Sequence, residues 1–282
     1  MIWWILSTFF SSIATIFWKK SMMFQIKIWE YWFMLMGLTW AILFIMWLII
    51  SDQANIEIFT LKNILISISI SLLWVLSKII WQYVYKREKI SLIAPYENLN
   101  KILSIILAFF LFWDVSVISL CIAILVVIII FCSSYNFKQK YIPKTIKLFS
   151  IHQVIVSWNA ILIWYMLLQI SAIDFYILER GIAILILIFI VILNKDIHNF
   201  KTLPKPFIKN RLTAATFGTS WYLISLYIIS EFWITINILL SFIYLIFILS
   251  LSYIMLWDKP TKKSAIVSTV VVALVWLWFY FK

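Results

Sequence analysis

Two residues of opposite charge and two carboxamides stand close together in an otherwise apolar stretch. They are Glu97, Asn98, Asn100 and Lys101, set in Pro95-Tyr96-Glu97-Asn98-Leu99-Asn100-Lys101 within the run from Ile90 to Phe112. Such groups cost several kcal/mol in hydrocarbon unless they face a cavity or one another. Glu97 and Lys101 are four residues apart and share a helix face, and Asn98 borders it. Pro95 removes a backbone donor near the start of the run, where a helix tolerates that loss best. Two readings follow: an ion pair that ties this helix to its neighbours, or a face that lines a polar substrate path.

Other polar side chains lie in apolar runs. Lys78 stands about 12 Å of helix from Lys86, so it either snorkels to the cytoplasmic interface or points inward. Arg180 suits a carboxylate or phosphate through bidentate donation. Its neighbour Glu179 points about 100° away on a helix, so both need not line one cavity. Pairing of Arg180 with Glu97 or another acid is the structural alternative to a ligand role. Asn159, Tyr222, Trp221 and Tyr96 are candidates for hydrogen bonds and aromatic walls, although each alone is also an ordinary packing residue. Asp114 and Asp258 fall at helix junctions, where they are expected to cap the helices that follow. His152 and His198 sit at segment edges and read as interfacial.

These residues are positioned by a chain that is 65% hydrophobic and 12% charged, well outside the balance of ordinary soluble domains. The expectation is an all-α membrane protein. Its 282 residues allow about ten spans with short connections and leave no room for a soluble domain. Apolar runs place spans at 2–18, 30–50, 62–85, 90–112, 115–134, 150–170, 173–193, 212–230, 233–256 and 264–281. Continuous runs of this length exclude a β-barrel, whose strands are shorter and alternate in polarity. The first segment lacks the features of a signal peptide and is read as a span. Cys121 and Cys132 lie in one apolar run without metal-ligand spacing, and no metal or other cofactor is expected.

The net charge of +12 is concentrated in the connections. Those after spans 1, 3, 5, 7 and 9 hold 18 Lys and Arg, whereas the opposite side holds only Lys62 and Lys282. Positive charge of this kind orients a membrane protein, so the odd-numbered connections are expected in the cytoplasm and both termini outside. It does not suggest nucleic acid as a partner.

The two halves, 1–144 and 145–282, match at an offset of 144 residues. Trp113-Asp114 corresponds to Trp257-Asp258, Gly37 to Gly181, and the span boundaries follow. Five spans is an odd number, so the second half must run inverted through the membrane. Inverted repeats are typical of secondary transporters, whose sites lie near the midplane. Glycine is rare, at 3 residues, and tryptophan abundant, at 17, although membrane bundles normally favour small residues at helix contacts. The same offset pairs Trp74 with Gly218. An AT-rich genome depletes glycine without enriching tryptophan. The pattern is that of UGA codons read as glycine at the source, a code variant known in some bacteria; the alternative is a truly Trp-rich protein with interfacial aromatic belts.

The fourth span with Ser91-Leu92-Ile93-Ala94-Pro95-Tyr96, the following Phe112-Trp113-Asp114, and the ending Leu256-Trp257-Asp258 before a last apolar run resemble the drug/metabolite transporter superfamily, in particular its EamA-type members. In that family the corresponding pairs are Gly-Glu; here they are Trp-Asp. The resemblance implies ten helices in two inverted five-helix repeats around a central cavity, and a carrier, often an exporter, of amino acids, nucleotide sugars or other metabolites.

The reading that follows is a secondary transporter in a bacterial plasma membrane that moves a small polar metabolite by alternating access. Glu97 and Lys101 are its central contacts, Asn98 and Arg180 come next, and Tyr96, Lys78, Asn159 and Tyr222 complete the set. A coupled proton is a candidate partner through Glu97, because a low-dielectric cavity disfavours an ionised carboxylate. The alternative is a non-transporting membrane subunit with structural buried charges. An enzyme is not expected, since HExxH, GxSxG and P-loop signatures are absent.

Overall fold

The computed structural model describes residues 2–22, 24, 59–97, 99–112, 117–134, 143–193, 204–231 and 243–280. Every regular element among them that is longer than a turn is an α-helix: α1 Ile2–Met22, α2 Leu61–Arg87, α3 Ile90–Glu97, α4 Leu99–Phe112, α5 Val117–Ser134, α6 Lys144–Leu167, α7 Ala172–Leu193, α8 Lys205–Glu231, α9 Ile243–Leu256 and α10 Lys262–Tyr280. The expected second span, with Gly37, lies outside the described residues, as do Asn98, Trp113, Asp114 and His198.

Local chemistry sets several helix ends. Thr60 accepts a hydrogen bond from the Asn63 amide at 3.2 Å and caps α2. Pro143 precedes α6, where its fixed φ suits helix entry. Helix α8 begins at Lys205, about two turns before the apolar run expected at 212. Backbone hydrogen bonding continues through Lys209 and Arg211 because both residues are good helix formers, whatever their polarity.

Pro95 lies inside α3, not at its first turn as its place in the run suggests. Having no N–H, it leaves the carbonyl of Ser91 without its helical partner. The Ser264 hydroxyl, at the start of α10, donates to that carbonyl. Asp258 acts at the same point: its Oδ2 accepts from the Ser91 amide at 3.0 Å and its Oδ1 from the Ser91 hydroxyl at 2.8 Å. This corrects the expectation for Asp258, which caps α3 from the other half of the chain. The N-terminus of α10 is capped instead by Thr261, whose Oγ1 accepts from the Ser264 amide at 3.1 Å. Lys19 closes the same region by donating to the carbonyls of Glu88, at 2.7 Å, and Tyr85.

The main packing is between halves. Helix α1 packs most extensively on α8 and next on α9, while α6 packs on α2 and α4; α5 meets α10. Gly218 of α8 sits against Trp18 and Ala14 of α1, and a Cβ there would come within 3.2 Å of the indole. Helices α2 and α8 are both 27 residues long and start 144 residues apart, and α4 and α9 are both 14 residues long with the same separation. The α1–α8 and α1–α9 contacts thus have counterparts in α6–α2 and α6–α4.

The core unites Ile16, Tyr85, Ile93, Ile130, Phe149 and Val271. A smaller cluster joins Ile70, Met166, Phe175 and Leu226. Helices α2 and α6 are long and apolar enough to cross a membrane; residues 120–132, 244–256 and 264–274 form shorter apolar helices. Large apolar side chains also face outward, among them Leu72 and Leu76 of α2, Ile124 and Ile128 of α5, and Leu185 and Phe189 of α7.

Candidate functional site

Faces of eight helices converge on a cavity of about 320 Å³. Helix α1 contributes Ser7 beside Thr8, Ser11, Thr15 and Trp18, of which the last four are spaced by three or four and form one stripe. Helix α2 adds Trp74, Ser77, Lys78 and Trp81 at the same periodicity, and Tyr85 continues that face one turn on. Glu97 enters at the end of α3, Asn100, Lys101 and Ser104 from α4, and His152, Gln153 and Asn159 from α6. Arg180 comes from α7, Trp221, Tyr222 and Ser225 from α8, and Tyr244 from α9. Each stripe is polar on one side of an otherwise apolar helix, a placement whose desolvation cost is met by mutual contacts.

Glu97 accepts a hydrogen bond from the Tyr85 hydroxyl. The Tyr244 hydroxyl also reaches this carboxylate and hydrogen-bonds Thr15 Oγ1 at 3.3 Å. Glu97 is the nearby negative charge for both Lys78 and Lys101. The Lys101 ammonium lies 5.5 Å from the centre of the Tyr244 ring. The ammonium of Lys78 is caged by indoles, 5.1 Å from Trp18, 5.1 Å from Trp81 and 5.8 Å from Trp74. Of the two expectations for Lys78, the outward, snorkelling one is therefore overturned, because indole faces offer the cation an inward, partly desolvated site.

Arg180 pairs with its own neighbour: Nε lies 3.0 Å from Glu179 Oε2, and the two side chains are 11% and 1% exposed. Pairing with Glu179 does not remove Arg180 from the cavity. Its guanidinium stacks 4.2 Å from the Tyr222 ring centre and lies 5.1 Å from that of Trp74. Glu179 does not line the cavity, in keeping with the angular offset between adjacent residues.

Six of the expected residues, Glu97, Lys101, Lys78, Arg180, Asn159 and Tyr222, are thus brought together. Asn98 lies outside the described residues. Tyr96 is buried and does not line the cavity, since it points into the core packed around α3. His152 corrects the interfacial reading: it is 5% exposed, stacks on Phe149 at 5.2 Å and borders the cavity. An apparent segment edge misled there because α6 starts two turns earlier, at Lys144.

Sequence reasoning did not single out Trp18, Trp81, Tyr85, Tyr244, Gln153 or the α1 hydroxyls. The helical spacing of Trp74, Lys78, Trp81 and Tyr85 was the available signal, because it puts them on the face that carries the buried lysine.

Among known proteins, no family model and no curated protein matches the sequence. The geometry of the cavity and the architecture therefore carry the functional argument.

Proposed function

We propose that the protein is a secondary transporter of the bacterial plasma membrane. In this reading two inverted five-helix repeats, 1–144 and 145–282, enclose a central site. They move a small polar metabolite such as an amino acid, in the export direction, by alternating access. The single observation that carries the proposal is the charged cavity: Lys78, Glu97 and Lys101 from the first half meet Arg180 and Tyr222 from the second. A bundle that only needed holding together would be served better by apolar packing than by desolvated charges around an open volume.

Three further features support it. The outward apolar side chains suit a lipid surround. Equal-length helices 144 residues apart, with exchanged partners, are what a duplicated five-helix unit would produce. Placement of the cavity where the halves meet agrees with transporters built from repeats. Alternation would rock the α1–α8 and α2–α6 contacts about Glu97 and Lys101, with Glu97 also available to a coupled proton.

The test is metabolite profiling of cells and medium with the wild-type chain against Glu97→Gln/Lys101→Met at matched membrane abundance. At least one polar metabolite is expected to redistribute with the wild type, with that movement lost in the double variant. Identical redistribution by both chains would overturn the assignment of the site.

A further inference from the structure

We propose that the cavity is built for a substrate bearing one anionic oxygen group, a carboxylate or a phosphate, seated between Lys78 and Arg180; this names the ligand of the site proposed above and rests on that reading. The argument begins with charge. Lys78, Lys101 and Arg180 face the cavity with one carboxylate, Glu97, and Glu179 stands behind Arg180. Among the described residues that line or back the cavity, three cations against two carboxylates leave one positive charge in excess.

Geometry says where the excess is concentrated. Lys78 and Arg180 both line the cavity near Trp74, their charged groups 5.8 and 5.1 Å from its ring centre, and the guanidinium is the like charge that acts on the Lys78 ammonium. Two like charges held this close in a weakly screened interior repel one another. An anion between them converts that repulsion into two attractions, with Arg180 presenting a planar fork and Lys78 a point charge. Glu97 is shared by Lys78 and Lys101 and is held by Tyr85, so it does not occupy the seat beside Arg180. The volume is at the small end for organic ligands, which suits a metabolite and excludes a polymer.

The test measures stabilisation of the purified chain in detergent by matched compounds that differ in one anionic group: lactate against lactamide, and glycerol 3-phosphate against glycerol. At least one charged member is expected to raise the unfolding midpoint while its neutral partner does not, and the responding pair tells carboxylate from phosphate. Lys78→Met should weaken that apparent affinity about tenfold or more, and Lys78→Arg should retain it within a few fold. Equal stabilisation by neutral partners, no stabilisation by either anion, or wild-type affinity in Lys78→Met would overturn the proposal. A bound anion that proteoliposomes do not move would leave this seat standing and overturn the transporter reading. Transport of a purely cationic or neutral metabolite would do the reverse.

A different observation carries a second inference: we infer that position 257 is glycine in the protein as its source makes it. Trp257 has φ 54°, the positive value found at no other non-glycine residue among those described. It follows α9 directly, at the helix-ending position where glycine is preferred because a Cβ is disfavoured in the left-handed region. No packing demands an indole there, since the residue is 80% exposed. A chain with 3 glycines and 17 tryptophans is explained if UGA, read as glycine at the source, has been rendered as tryptophan. The codon at 257, and that at 113 by the repeat offset, are expected to be UGA. Mass spectrometry of the natural peptide should show glycine, and Trp257→Gly should raise the unfolding midpoint of the expressed chain. UGG at 257, or a tryptophan mass in the natural peptide, would overturn it.

Discussion

Arg180→Met is expected to remove most of the folded protein. Glu179, whose side chain is 1% exposed, would lose the guanidinium 3.0 Å away and remain a desolvated carboxylate. Breaking a buried pair from one side costs about 3–5 kcal/mol, a large part of the whole stability of a domain. The double variant Glu179→Gln/Arg180→Met removes both charges together. It should recover most of the abundance and thermal stability, and under the proposed transporter reading it should remain inactive, because the cavity wall still lacks its guanidinium. The measurement is a double-mutant cycle on the unfolding midpoint, run beside the transport assay. Additive losses would show that the pair contributes nothing to folding, and full activity in the double variant would remove Arg180 from the substrate path.

Asp258→Ala is expected to lower stability by about 3 kcal/mol, since it deletes two charge-assisted hydrogen bonds to Ser91 in a buried setting. The loss falls at the entry of α3, whose Ser91 carbonyl is already deprived of its helical donor by Pro95 and depends on Ser264. Asp258→Asn retains an acceptor and loses the charge, so about a third of that effect is expected. Unfolding midpoints of the two variants in detergent check this ordering. Equal midpoints for wild type and Asp258→Ala would show that the Ser91 contacts are not maintained. Because α3 delivers Glu97 to the cavity, the proposed transport should also weaken in the variant at temperatures where it remains folded.

The helical class and much of the candidate site are legible in the amino-acid sequence. Apolar runs with polar breaks mark helices directly, because a chain that buries its backbone must hydrogen-bond within each segment. The placement of Glu97, Lys101, Arg180 and Lys78 inside such runs marked them for the same reason: a charge in an apolar run needs a cavity or a partner. Tyr96 shows the limit of that logic. Proximity in sequence to Glu97 suggested a shared site, but Tyr96, about 100° away on the helix, packs into the core. His152 shows another, since polarity cues misplaced the start of its helix.

By itself the sequence determined the all-helical class, the concentration of basic residues in alternate connections between apolar runs, and the short inventory of charges available to any interior site. These properties are local or additive, and each can be counted along the chain. Only the tertiary structure decided that Arg180 pairs with Glu179, that Asp258 caps a helix of the other half, and that indoles from α1 and α2 enclose Lys78. Partner choice depends on which helix faces meet across long sequence separations, and one chain offers several acids and rings of nearly equal local suitability. The packing of α1 on α8 and of α2 on α6 fixes those faces, and with them the cavity.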